Sequence, residues 1–128
     1  MIYSISCVDS KATNFGNLLN GGYIDIYDDT ELGIPTDPSG AMVGLRLGRL
    51  RFQSPAFSSP VNGLITANPI TPDSDADNTG TATYFLLRQS DDSPVAIGTV
   101  GTEMILTDPN IVIGGEISCS GFTYQEPQ

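Results

Sequence analysis

Asp73, Asp75 and Asp77 alternate along "TPDSDADNTG" and are followed by Gly80 and an apolar run. Hard oxygen donors at that spacing are what a calcium loop uses. An EF-hand loop also needs glycine at its sixth position, a bidentate glutamate at its twelfth, and a helix on each side. Here Asn78 and Tyr84 take those two places and the flanks read as strands, which excludes an EF-hand. A looser calcium site between strands would use the same three carboxylates and Asn78. The stronger reading is an acidic turn, in which Asp and Asn side chains bond their own backbone and Gly80 supplies a positive φ.

Other chemistries lack their residues. With no histidine in the chain there is no Ser-His or Cys-His pair and no imidazole ligand. The two cysteines, Cys7 and Cys119, stand near opposite ends and cannot make a zinc site. Pairing between them stays open if the terminal strands are neighbours. Two buried free thiols are preferred, since nothing indicates export. "GIPTDPSG" and "GGEISCSG" match neither a phosphate-binding loop nor a dinucleotide fingerprint. The acids stand mostly in predicted turns, where solvated carboxylates belong. No enzyme activity and no cofactor are expected.

Charge narrows the partners. The chain has 128 residues, with 15 acidic against 5 basic ones and a net charge of −10. Lys11, Arg46, Arg49, Arg51 and Arg88 are too few for a phosphate-neutralising stripe, so nucleic acid is not an expected partner. No apolar run approaches the roughly 20 residues of a membrane helix, so no membrane association is expected. "MIYSISCVDSK" has neither the basic start nor the apolar segment of a secretory signal.

Three aromatic residues are candidates for an interface. Tyr23 and Tyr27 fall on the face of "YIDIY" opposite Ile24 and Ile26, beside Asp25. Such a pair suits a protein interface or a sugar platform, or is covered by neighbouring elements. The absence of Trp lowers the sugar reading. Phe57, between serines and prolines in "SPAFSSP", either anchors in a neighbour's pocket or plugs one end of its own domain.

The elements that position these residues read as β nearly throughout. "YSISC" alternates as a half-buried strand, so residues 1–9 are expected as a strand or an N-terminal arm. "DSKATNFGNLLNGG" fits one short helix capped by Asp9 or Ser10. "YIDIY" is a strand, and the irregular connection over 28–42 suggests a crossing between sheets. Over 42–52 the apolar parity switches across Gly48, from Val43, Leu45 and Leu47 to Leu50 and Phe52. A β-bulge there keeps both halves on one core. "LITANPI" is a short strand, and "TATYFLLRQ", "SDDSP" and "VAIGTV" make a hairpin. "EMILT", "IVI" and "GEISCSGFTYQ" complete the set, with a tail at 125–128. One all-β domain over 1–128 is expected, with at most one or two short helices. Its form is an antiparallel β-sandwich, jelly-roll-like by first choice and immunoglobulin-like as the alternative.

Four stretches occur in a telling order: "GYIDIYDDT", "SPAFSSPVNGLITANPI", "NTGTATYFLLRQSDDSPV" and "GTVGTEMILTDPNIVIGGEISCSGFTY". Together, over about residues 22–124, they resemble a widespread group of small β-rich proteins encoded among the virion genes of tailed bacteriophages and prophages. The most specific pieces are "PAF…NG…TAN" and "TGTAT" followed by "GTVGT". The resemblance implies a virion structural protein made in the host bacterial cytoplasm. It would be a capsid decoration or cement protein on the outer head surface, stabilising contacts between major capsid protein subunits. A decoration protein of this kind is expected as a dimer or trimer on a symmetry axis. A tail, fibre or baseplate component and a carbohydrate-binding adhesion module are the alternatives. The group brings no site residues with it. Its members open with a longer helix, from which "MIYSISC", read as a strand, departs.

Overall fold

The computed structural model describes residues 1–29 and 33–127. One helix, α1 (Ile5–Leu18), precedes the strands β1 (Tyr23–Asp28), β2 (Leu45–Arg51), β3 (Leu64–Thr66) and β4 (Gly80–Thr81). They are followed by β5 (Tyr84–Arg88), β6 (Pro94–Thr99), β7 (Met104–Leu106), β8 (Asn110–Ile111) and β9 (Cys119–Gln125). A four-stranded sheet runs β2-β1-β5-β6, a three-stranded sheet runs β3-β9-β7, and β4 and β8 form a ribbon. All these strand pairings are antiparallel. The class is therefore all-β with one short helix, as the sequence indicates. The four-stranded sheet is two hairpins side by side, an order that does not itself carry the expected jelly-roll arrangement.

The start of the chain differs from expectation. The residues read as the strand "YSISC" enter α1, whose N-cap is Ser4 with its hydroxyl accepting the Cys7 N–H at 3.1 Å. The helix buries Val8, Ala12 and Gly16, and Leu19 follows one turn on. That spacing is a helical stripe, and its burial outweighs a five-residue alternation that leaves Ile5 60 % exposed. The helix thus begins before Asp9, and residues 1–9 are neither strand nor free arm throughout.

The connection expected over 28–42 to cross between sheets instead joins β1 to β2, neighbours in one sheet. Positions 30–32 of it lie outside the described residues. The hairpin β5–β6 is as read, closed over Gln89–Ser93 by the Gln89 N–H donating to the Ser93 carbonyl at 2.8 Å. Of the expected tail at 125–128, Gln125 ends β9, and Gln128 lies outside the described residues.

One core joins the layers. Ile24, Ile26, Leu50 and Phe85 of the four-stranded sheet meet Ile65, Met104 and Phe122 of the other sheet. Phe57 lies in this core, 8 % exposed, with its ring 5.5 Å from that of Phe52 and 5.6 Å from that of Phe122. Of the two roles open to it, Phe57 takes the plug. As an interface anchor it is corrected, because its surface is spent on its own domain.

Candidate functional site

The outer face of the four-stranded sheet gathers all four arginines of the chain. The cause is the β-bulge in β2. Ile26 pairs with Gly48 and Tyr27 with Arg46, so Leu47 is the extra residue. The shift turns Leu47 and Leu50 together into the core, both fully buried, as the parity switch requires. It thereby turns Arg46, Arg49 and Arg51 outward. Gly48 also permits the close approach of the 71–77 segment, since a Cβ there would lie 2.5 Å from Asp73 Oδ2 and 2.6 Å from Ile117 Cδ1.

Cross-strand pairing sets three rows on this face. Arg51, Tyr23 and Arg88 form the first, Arg49, Asp25 and Leu86 the second, and Arg46, Tyr27 and Tyr84 the third. Asp25 is fully buried at the centre. Arg49 donates from Nε to Asp25 Oδ1 at 2.6 Å and from Nη2 to Oδ2 at 3.1 Å, while Arg88 Nε donates to Oδ2 at 2.7 Å. Arg46 Nη1 stands 4.0 Å from the same oxygen. Arg49 also reaches Asp92 Oδ1 at 2.9 Å, and Arg88 donates to the Asp92 carbonyl at 2.9 Å. A bidentate fork on a buried carboxylate is the geometry in which a guanidinium binds most strongly.

The same contacts act on the arginines' protonation. Hydrogen bonding to Asp25 raises Arg49 above its already high ordinary value, against the opposing effect of burial. For Arg88 burial acts downward, and the Asp25 hydrogen bond and attraction outweigh it, so the net direction is also up. Both guanidiniums are therefore fixed charges.

The two ends of the face differ. At the third row Tyr27 stacks on Tyr84, with ring centres 5.0 Å apart and planes 9° from parallel. The Tyr84 hydroxyl accepts the Val43 N–H at 3.1 Å and donates to the Val43 carbonyl at 2.6 Å, and Met42 packs on the pair. The connection before β2 thus lies over this end. Tyr27 is buried and, as an interface or sugar-platform candidate, is corrected to covered structure. The first row stays open: Tyr23 is half-buried and Arg51 exposed. The Arg49 guanidinium lies 4.5 Å and that of Arg51 5.1 Å from the centre of the Tyr23 ring.

Asp73, Asp75 and Asp77 do not assemble into a site. Asp73 accepts the Arg49 N–H at 3.0 Å and the Asp75 N–H at 2.9 Å, the second being an Asx-turn. Asp77 faces Arg46 Nη2 at 3.5 Å. Among the described residues no three acidic or thiol side chains cluster as metal ligands would. Gly80 does not have the positive φ expected of it and lies in β4, where a Cβ would stand 2.6 Å from Asp28 Oδ2. Cys7 and Cys119 are unpaired and only partly buried, and burial pushes the Cys119 thiol up.

Two of the clefts lie beside the core. One of about 230 Å³ separates α1 from the 55–60 segment and is lined by no titratable group. The other, of about 200 Å³, lies among Phe15, Phe85, Phe122 and Tyr124, with Glu103 as its one carboxyl group. Neither brings a nucleophile to a base.

The Asp25–Arg49–Arg88 centre went unread in the sequence, although its signal was present. The parity switch at Gly48 that sends Leu47 and Leu50 inward sends Arg46, Arg49 and Arg51 outward by the same step. Tyr84, Leu86 and Arg88 alternate towards them, and Asp25 already stood opposite two isoleucines. Comparison with protein-family models, with curated proteins and with solved structures finds no match to this chain.

Proposed function

We propose that the chain is a structural protein of a bacteriophage virion, a decoration protein on the outside of the head that strengthens contacts between major capsid protein subunits. The observation that carries the reading is α1. The group that the chain resembles opens with a helix, and the one feature of this sequence that departed from it, a strand at "MIYSISC", gives way at Ile5 to a 14-residue helix capped by Ser4. The use made of the polar side chains supports the same reading. Asp25, Arg49 and Arg88 cross-link three strands, Tyr84 ties down the connection at Val43, and Asp73 clamps the bulge. Among the described residues no buried side-chain nitrogen or oxygen lacks a hydrogen-bond partner. A module so cross-linked loses little freedom on docking, which favours adding interface area to a shell.

Heads separated from tails test the proposal. The chain should be found on them in many copies, and heads formed without it should burst more readily under osmotic or thermal stress. Recovery only from tailed particles, in few copies, would transfer the role to the tail. Binding of the isolated domain to host polysaccharide would transfer it to adhesion.

A further inference from the structure

We infer that the open end of the arginine face, Tyr23 with Arg51 and Arg88, is a docking surface for an acidic protein surface; this rests on the assembly role proposed above. Charge complementarity points to it. The chain carries −10 overall, and Lys11 is its sole cation off this face. An acidic partner is therefore repelled over most of the surface and met by positive charge at Arg51, the arginine of this face that has no carboxylate partner among the described residues.

The first row is also built for contact. Arg46, Arg49 and Arg88 each have a carboxylate partner, whereas among the described residues Arg51 has none. Among the described residues its side chain makes one hydrogen bond, a long one from Nε to the Gly21 carbonyl at 3.4 Å. Arg51 is held instead against the Tyr23 ring, which Arg49 also approaches. An exposed guanidinium placed on a half-buried tyrosine is pre-positioned to fork onto a partner's carboxylate. Arginine and tyrosine are the residue types that dominate interface centres. A single cation without a carboxylate partner suits a protein carboxylate and not a nucleic acid, which needs a run of cations to neutralise successive phosphates.

The test uses the full chain and two probes, heads purified from phage lacking it and a short glutamate-rich peptide. Rebinding to heads should weaken as salt rises. Arg51→Glu should weaken it by about tenfold or more. Arg51→Gln should show a smaller loss, and Lys11→Glu none, with all three variants melting as the parent does. Equal rebinding by Arg51→Glu and the parent overturns the inference. If the parent does not bind heads at all, the proposed function fails, and the peptide then decides this inference alone. Amide shifts confined to Gly21–Tyr23 and Arg51, lost in Arg51→Glu, support it; shifts elsewhere or none overturn it. Tighter binding of a DNA oligonucleotide than of the peptide at the same residues also overturns it.

Discussion

Replacing Asp25 by Asn removes the charge that holds β2 and β5 to β1 on their outer face. The carboxylate receives three short guanidinium hydrogen bonds, from Arg49 twice and Arg88 once. With its oxygen where Oδ2 stands, Asn still accepts from Arg49 Nη2 and Arg88 Nε but turns an amide N–H towards Arg49 Nε. One bond is then lost and the other two, deprived of the carboxylate charge, weaken by about half. Hydrogen bonds to charged groups contribute about 1.5–3 kcal/mol each, giving a loss of about 3–6 kcal/mol if nothing relaxes. Relaxation is available, because the Arg49 and Arg88 side chains are 28 % and 23 % exposed and each has a second partner in Asp92. Rehydration through those openings should reduce the cost to about 2–3 kcal/mol, below the roughly 3–5 kcal/mol of a sealed pair. For a chain of this size that lowers Tm by about 6–15 °C. Urea titration followed by circular dichroism should show a lower midpoint with an unchanged slope. Replacing the whole triad with apolar residues (Asp25→Leu, Arg49→Met and Arg88→Leu together) should recover most of the loss. An Asp25→Asn variant within about 0.5 kcal/mol of the parent would refute the account of the centre.

Gly48→Ala should destabilise by about 1–3 kcal/mol, since its methyl group meets Asp73 and Ile117 at the bulge; a neutral result in thermal melts would contradict the clamp. Phe57→Ala should cost about 3–5 kcal/mol as a core truncation, and an unchanged Tm would return Phe57 to the surface. Tyr124 donates to Glu126 Oε2 at 2.7 Å, and burial together with Glu126 pushes its phenol up to about 12. Burial raises Tyr84 as well. The folded chain then holds these protons where the unfolded chain has released them, so the Tyr124 contribution is full below about pH 10 and is lost between about 10 and 12, and Tyr84 acts in the same direction. Absorbance titration of Tyr124→Phe against the parent should remove one late-ionising phenol, and an early midpoint for that phenol would contradict the assignment.

What was legible in the sequence were the features with local signatures. The bulge at Gly48 showed as a change of parity, the β5–β6 hairpin as a turn between two alternating runs, and the acidic stretch as an Asx-turn. What was not legible depended on long-range packing. The alternation of Tyr3, Ile5 and Cys7 is too short to oppose Ser4 as a cap and the stripe Val8–Ala12–Gly16, whose value appears only when α1 meets the second sheet. Phe57 stands in a Pro- and Ser-rich segment that reads as loop, and only the Phe52–Phe122 cluster explains its burial. The arginine face needed both the bulge and the β1–β5 pairing, and the second joins residues far apart in sequence.

Electron cryomicroscopy of the intact particle tests the assignment to the head most directly. The account predicts density for this β domain on the outer surface of the shell, repeated at positions fixed by the capsid lattice, with Tyr23 and Arg51 facing an acidic surface of the capsid subunits. Density confined to the tail, or a head surface free of the domain in particles that contain the chain, would contradict it.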